Sequence, residues 1–228
     1  MADTISEKIL ATQAASLKGY WKCDEASGNL ADSSGNSNTL TANALDAGDY
    51  RTDGPGGYAV GPLDGVAEYA NRTDSVIGTS LTAHTFFVVF KYNSTTTNLA
   101  MVSLGHSTGN GMLSLRKMTG GLLRWYWIND ANTTIVQEDR GALTNGAWYT
   151  AAVTWDGVTG KIYIDGVQSG ADVTPAAGTV TIDRTTLWGR VYAGTPGLFS
   201  NQAQQHHAIW TTALTATEIL DIHNALRY

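Results

Sequence analysis

The sequence is poor in residues that staple, charge or span. It has a single cysteine, Cys23, in 228 residues, so no disulfide can form within the chain and a disulfide-stapled scaffold is excluded. Charged side chains make up only 15% of it, the net charge is −6, and no cluster of lysine and arginine occurs. Binding a nucleic acid backbone needs a basic face, so nucleic acid is not an expected partner. No run approaches the ~18 apolar residues of a spanning helix, so membrane insertion is not expected. The opening residues MADTISEKILATQAASLKGY lack the positive n-region and unbroken apolar stretch of a secretory signal. The chain is expected to stay in the cytoplasm, or to reach the outside without a signal, as a virion component does on cell lysis. Alternation of strand and helix is missing, which excludes a doubly wound parallel sheet. A Gly-rich phosphate loop is missing too.

What is present reads as β structure. Apolar residues make up 43% of the chain, enough for a sizeable core, and 25 glycines and ten tyrosines fit an all-β fold. Short strand-like runs bounded by Gly, Asn, Asp or Ser recur: GYWKCD, VAEYANR, HTFFVVFKYN, LAMVSLGH, GMLSLRKM, LLRWYWIN, TTIVQED, WYTAAVTWDG, KIYIDG, TVTIDR, TLWGRV and HHAIWT. Many short strands at regular spacing predict a sandwich or barrel. Ile5, Ile9, Leu10, Ala14 and Leu17 have helical spacing and predict a helix over 5–17. At the other end, Thr215 and Glu218 form a capping-box signature before Ile219, Ile222 and Leu226, which predicts a C-terminal helix. The organisation expected is a helical arm over 1–16 and one domain over 17–228.

The stretch WYTAAVTWDGVTGKIYIDG, from Trp148 to Gly166, is a hairpin by its alternation and its turns. Asp156 and Asp165 each precede a glycine, so they read as turn residues rather than as a carboxylate pair for acid–base work. The hairpin resembles the hallmark of the laminin-G-like, concanavalin A-like jelly-roll superfamily: an aromatic residue, a hydrophobic strand, Asp-Gly, then Tyr-x-Asp-Gly. Three further pieces resemble that family in the same order: GYWKCDEASGNLADSSGN from Gly19 to Asn36, LDGVAEYANR, and AIWTTALTATEI. The resemblance spans about residues 17–228. It implies an all-β, two-sheet antiparallel jelly-roll β-sandwich with short helices at both ends. It also implies a binding module, since members attach to glycans, proteins or membranes.

Calcium is the one cofactor the resemblance offers, with Asp32 and Asn36 of the Asp-x-Ser-Gly-Asn loop as candidate ligands. The family's second aspartate, expected in FSNQAQQHHAIW, is replaced by Gln205 or His206, which removes a carboxylate and favours a loop held by its own hydrogen bonds. His206 and His207 are adjacent on a strand and should face opposite ways, so they are not expected to share a zinc ion. Cys23 reads as a buried thiol.

In LLRWYWIN, a period of two puts Leu123, Trp125 and Trp127 on a core face and Arg124 and Tyr126 outward. Arg124 and Tyr126 are therefore candidate ligand-binding residues, with Lys91, Tyr92 and Arg116 expected on neighbouring strands. For catalysis, the jelly-roll glycosidase pattern Glu-x-Asp-x-x-Glu is missing, and QQHHA offers only a formal Gln-x-His of the lyase type. The expected function is non-enzymatic recognition or adhesion, with a glycan or cell-surface polysaccharide as ligand. The Ser/Thr/Asn texture suits a phage or virus particle, as capsid decoration, fibre or tail component. The alternatives are a structural virion protein docking through its N-terminal helix and a polysaccharide lyase or glycosidase. Expected partners besides the glycan are other virion proteins and, in a homo-oligomer, further copies of the chain.

Overall fold

Seven successive buried residues in HTFFVVFK explain the layering, because a strand buried on one face only would alternate. In the computed structural model, which describes residues 4–81, 83–94 and 98–226, this strand is packed on both faces. Phe86, Val88 and Phe90 point into a core between two sheets, and Phe87 and Val89 into a second core under two helices.

In chain order the described elements are α1 (Ile5–Ala11), β1 (Leu17–Trp21), β2 (Thr41–Asn43), β3 (Tyr50–Arg51), β4 (Ala59–Val60), β5 (Tyr69–Arg72), β6 (His84–Lys91), β7 (Leu99–Gly105), β8 (Met112–Met118), β9 (Leu122–Ile128), β10 (Thr134–Arg140), β11 (Trp148–Trp155), β12 (Gly160–Ile164), β13 (Val167–Gln168), β14 (Arg184–Leu187), β15 (Arg190–Tyr192), β16 (Thr195–Gly197), β17 (Gln204–Trp210) and α2 (Ala216–Asn224). The first sheet runs β13-β12-β11-β6-β17-β4-β3 with β1 added on β17, and the second runs β10-β9-β8-β7-β14-β5-β2. Their strands pair antiparallel. This is the two-sheet jelly-roll sandwich expected from the sequence. Its inner core holds Trp21, Trp125, Trp127, Trp188 and Ile209. Trp125 and Trp127 meet edge to face at 5.2 Å, as do Trp127 and Trp155 at 5.0 Å.

Both helices cover the back of the first sheet. Each starts with a reciprocal capping box, Thr4 with Glu7 and Thr215 with Glu218. Ile5 and Ile9 of α1 pack with Ile219 and Ile222 of α2 against Phe87, Val89 and Trp210. Lys8 pairs with Asp221 at 2.9 Å. The apolar face of α1 is thus buried in the domain that follows it.

Three expectations are corrected. Helix α1 stops at Ala11 rather than reaching Leu17. The chain turns through Gln13 in the left-handed region (φ 46°), and Leu17 already belongs to β1 and the core under the helices. TVTIDR is no strand over most of its length, contributing one isolated bridge, Ser80 to Thr181, before β14 begins at Arg184. TLWGRV is broken in the middle. Trp188 takes φ 62°, and the chain then folds back as the β15–β16 hairpin.

That hairpin lies across the outer face of the second sheet. Ser103 Oγ on β7 donates to the Gly189 carbonyl at 3.1 Å, and Ala100 N to that of Leu198 at 2.9 Å. Gly105 makes the approach possible, since a Cβ there would sit 2.0 Å from the Val191 carbonyl oxygen.

Candidate functional site on the outer face of the second sheet

The β11–β12 hairpin is scaffold, as its sequence indicates. Asp156 Oδ1 accepts from the backbone N–H groups of Val158 at 2.8 Å and Thr159 at 2.7 Å, which closes the turn. Asp165 Oδ1 accepts from Thr150 N at 2.9 Å. The two carboxylates serve different turns.

The Asp32 loop is likewise self-sufficient. Asp32 Oδ1 accepts from Tyr20 N and Ser34 N, both at 2.9 Å, and Oδ2 from Ser34 Oγ at 2.9 Å and Asn38 N at 2.8 Å. Asn36 Nδ2 donates to the Leu17 carbonyl at 2.8 Å. Four protons converge on the carboxylate that a calcium ion would have to share. The residues at the second expected position are engaged elsewhere: Gln205 Nε2 donates to the Pro55 carbonyl at 2.7 Å, and His206 Nδ1 bonds the Tyr20 hydroxyl at 2.7 Å. Among the described residues no three or more His, Cys, Asp or Glu side chains are gathered to hold a metal. The donor set does not fit calcium, which wants six or more oxygens.

His206 and His207 face opposite ways, although His206 takes a left-handed conformation (φ 51°) and the register of β17 on β6 shifts between Gln205 and Ala208. His206 stacks on Tyr20 under the helices, and His207 meets the edge of Trp188 at 6.2 Å in the inner core. Both are 1% exposed, and burial drives each down to about 3, so they are neutral at ordinary pH. Lys22 adds to the shift at His206, and His206 to that at His207. The formal Gln-x-His is therefore closed to solvent. Cys23 is buried, with its thiol pushed up by burial.

The predicted ligand residues separate into two places. Trp125 and Trp127 face the core, and Arg124 and Tyr126 face outward, as the alternation indicates. Arg116 joins them, because β8 pairs with β9 in a register that sets it opposite Arg124 and Ser114 opposite Tyr126. Lys91 and Tyr92 do not join them. Lys91 ends β6, which belongs to the first sheet between β11 and β17, and both residues line a cleft at that sheet's end.

The outer-face cluster gains two residues from the hairpin, Arg190 and Tyr192. The Arg116 guanidinium lies 4.0 Å over the Tyr126 ring, and that of Arg190 lies 5.0 Å over Tyr192. The Tyr126 hydroxyl bonds Thr134 Oγ1 at 3.0 Å, and the Tyr192 hydroxyl donates to Asn132 Oδ1 at 2.5 Å. Arg124 is neutralised by a bidentate pair with Asp139, at 2.6 and 2.7 Å, which holds its pKa up. Among the described residues, Arg116 and Arg190 form no ion pair with a carboxylate. Arg116 is only 9% exposed, and its Nε donates to Ser114 Oγ at 2.7 Å. Arg190 Nε is buried without a hydrogen-bond partner among the described residues. Burial, then the nearby Arg190 charge, pushes Arg116 down to about 9, which leaves it cationic at neutral pH. Burial likewise lowers Arg190. A buried and a half-buried cation, neither paired with a carboxylate among the described residues, therefore sit in a chain whose net charge is −6. Such an arrangement is unfavourable until an anion completes it.

With this geometry in place, the comparison with known proteins is informative. A family model described as the concanavalin A-like lectin/glucanases superfamily, of laminin-G type, matches residues 63–220. The chain belongs to this superfamily. No curated protein matches the sequence. Among solved structures, the fold of this superfamily member is similar to botulinum neurotoxin type C, whose cell entry depends on interaction with two ganglioside molecules. That match has TM-score 0.69 and 13% identity, and covers 96% of this chain and 53% of that one. The binding domain of Paraclostridial Mosquitocidal Protein 1 matches with TM-score 0.66 and 12% identity, covering 93% of this chain and 52% of that one. Ruminococcus gnavus IT-sialidase CBM40 bound to α2,3-sialyllactose matches with TM-score 0.54 and 16% identity, covering 63% of this chain and 84% of that one. The chain thus spans about half the length of the two toxin chains. At these identities the likeness carries the fold.

Proposed function

We propose that the chain is a lectin-like binding module, not an enzyme, and that it binds a glycan carrying a carboxylate through Arg116, Arg190, Tyr126 and Tyr192. The observation that carries this reading is the pair of guanidiniums on the outer face of the second sheet that no carboxylate among the described residues pairs with. A sugar carboxylate supplies two acceptor oxygens in the plane that guanidinium donors favour, and tyrosine hydroxyls suit the hydroxyls beside it. The similar structures support the reading, since one holds sialyllactose and another belongs to a toxin that uses gangliosides. The hydrogen bond that occupies His206 Nδ1 with the Tyr20 hydroxyl, and the enclosure of His207 beside Trp188, support a role without catalysis. The burial of Ile5 and Ile9 within the domain supports recognition over docking through α1.

The test is calorimetric titration of sialyllactose into wild type, Arg116→Gln and Arg190→Gln. Removing a charge-assisted contact costs about 1.5–3 kcal/mol, so each variant is expected to bind roughly 10- to 100-fold more weakly. Thermal stability of Arg116→Gln should hold or rise, because an uncompensated buried cation is gone. Unchanged affinity in both variants would overturn the proposal.

A further inference from the structure

We infer that the cleft at the end of the first sheet, where Lys91 lies, is a second binding site, and that it takes a neutral, hydroxyl-rich sugar. The cleft has a volume of about 320 Å³, and Trp148, Lys91, Asn93, Asn145 and Gln202 are among its lining residues. Gln202 is fully buried, and among the described residues neither its side-chain nitrogen nor its side-chain oxygen has a hydrogen-bond partner. Leaving such a group unsatisfied is costly, so a donor and an acceptor are called for at this wall of the cleft.

The chemistry of the amide selects the ligand. Gln202 Oε1 needs a donor and Nε2 needs an acceptor. A hydroxyl does both, whereas a carboxylate only accepts. Asp53, the acidic residue of the cleft, is already paired with Arg51, whose Nε donates to Asp53 Oδ1 at 2.7 Å. Lys91 forms no ion pair among the described residues, and its ammonium can donate to hydroxyl or ring oxygens. Half-buried Trp148 offers an apolar wall for the C–H face of a sugar ring. Lys91 and Trp148 belong to β6 and β11 of the first sheet and Gln202 to the segment leading into β17 of that sheet, so this site is separate from the arginine cluster on the second.

The test uses galactose, glucose, mannose and N-acetylglucosamine, each at millimolar concentration, with saturation-transfer NMR as the readout. At least one should bind wild type, and Arg116→Gln should bind it equally well, which separates this site from the one proposed above. Gln202→Met keeps the volume but removes both polar atoms, and Trp148→Ala removes the wall. Each should weaken binding by about tenfold or more. Gln202→Met should do so without lowering the melting temperature, so loss of fold and loss of site are distinguished. Failure of all four sugars to bind wild type, or equal binding to wild type and Gln202→Met, would overturn the inference.

Discussion

Acidification below about pH 6 is expected to destabilise the domain by up to about 2.7 kcal/mol per pH unit, about 1.4 from each of the two buried histidines. In the unfolded chain His206 and His207 titrate near 6.5, whereas in the folded chain burial holds them down to about 3. Between those values the unfolded state binds two protons that the folded state refuses, so stability falls as pH falls. Above about 6.5 both states are neutral, and the effect vanishes. The environments explain the refusal. His206 is held by the Tyr20 hydroxyl with Tyr58 edge-on at 5.6 Å, and the charge of Lys22 opposes a second cation. His207 has no hydrogen-bond partner on either ring nitrogen among the described residues and lies beside Trp188.

Glu68 works in the opposite direction. Burial raises it to about 7 from 4.5, so its folded form gains a proton, and stability, as pH falls between those values. Glu68 is only partly buried, so solvent screens the effect and keeps the contribution small. The measurement is urea unfolding in steps from about pH 7 to about pH 4, in a Glu68→Gln background. His207→Leu should halve the slope. A flat profile, or a slope that His207→Leu leaves unchanged, would contradict the account.

The second large effect is expected from Trp188→Ala. The ring is fully buried in the inner core, and its truncation should cost about 3–5 kcal/mol through lost transfer energy and the cavity left behind. The position also anchors the outer-face site. Trp188 N donates to the Met101 carbonyl at 2.8 Å, its own carbonyl accepts from Ser200 N at 2.6 Å, and the hairpin carrying Arg190 and Tyr192 lies between those two ties. Loosening that base should therefore weaken sialyllactose binding as well as stability. Urea unfolding and calorimetric titration of the same preparation read both. A stability loss under about 1 kcal/mol would show that the ring does not hold the core as described.

The sequence announced the strands more clearly than their neighbours. In LLRWYWIN the alternation assigned both faces correctly, because one side of β9 packs against the core and the other does not. The C-terminal helix was legible because Thr215 and Glu218 mark its first turn. The end of α1 was not, because helical apolar spacing continues into Leu17, which the first sheet claims. Lys91 and Arg124, expected on neighbouring strands, lie in different sheets. Partners of β6 come from β11 and β17, far along the chain, and no local pattern encodes that pairing.

Arg190 and Tyr192 were missed for a different reason. TLWGRV reads as one strand, and nothing in the residue type warns that Trp188 takes a left-handed conformation. The signal that was available is the alternation of Arg190, Val191 and Tyr192 before Ala193-Gly194, which marks a hairpin arm. Gln202 carries no sequence signature, since its isolation comes from the cleft around it.

The central claim is that Arg116 and Arg190 await a carboxylate. The most direct measurement is a paired titration of wild type with α2,3-sialyllactose and with lactose, which differ in the acidic sugar, each at low and high salt. The account predicts that sialyllactose binds at least tenfold more tightly than lactose, with an advantage that shrinks as salt screens the charges. Equal affinity for the two sugars, or no binding of sialyllactose at either salt concentration, would contradict it.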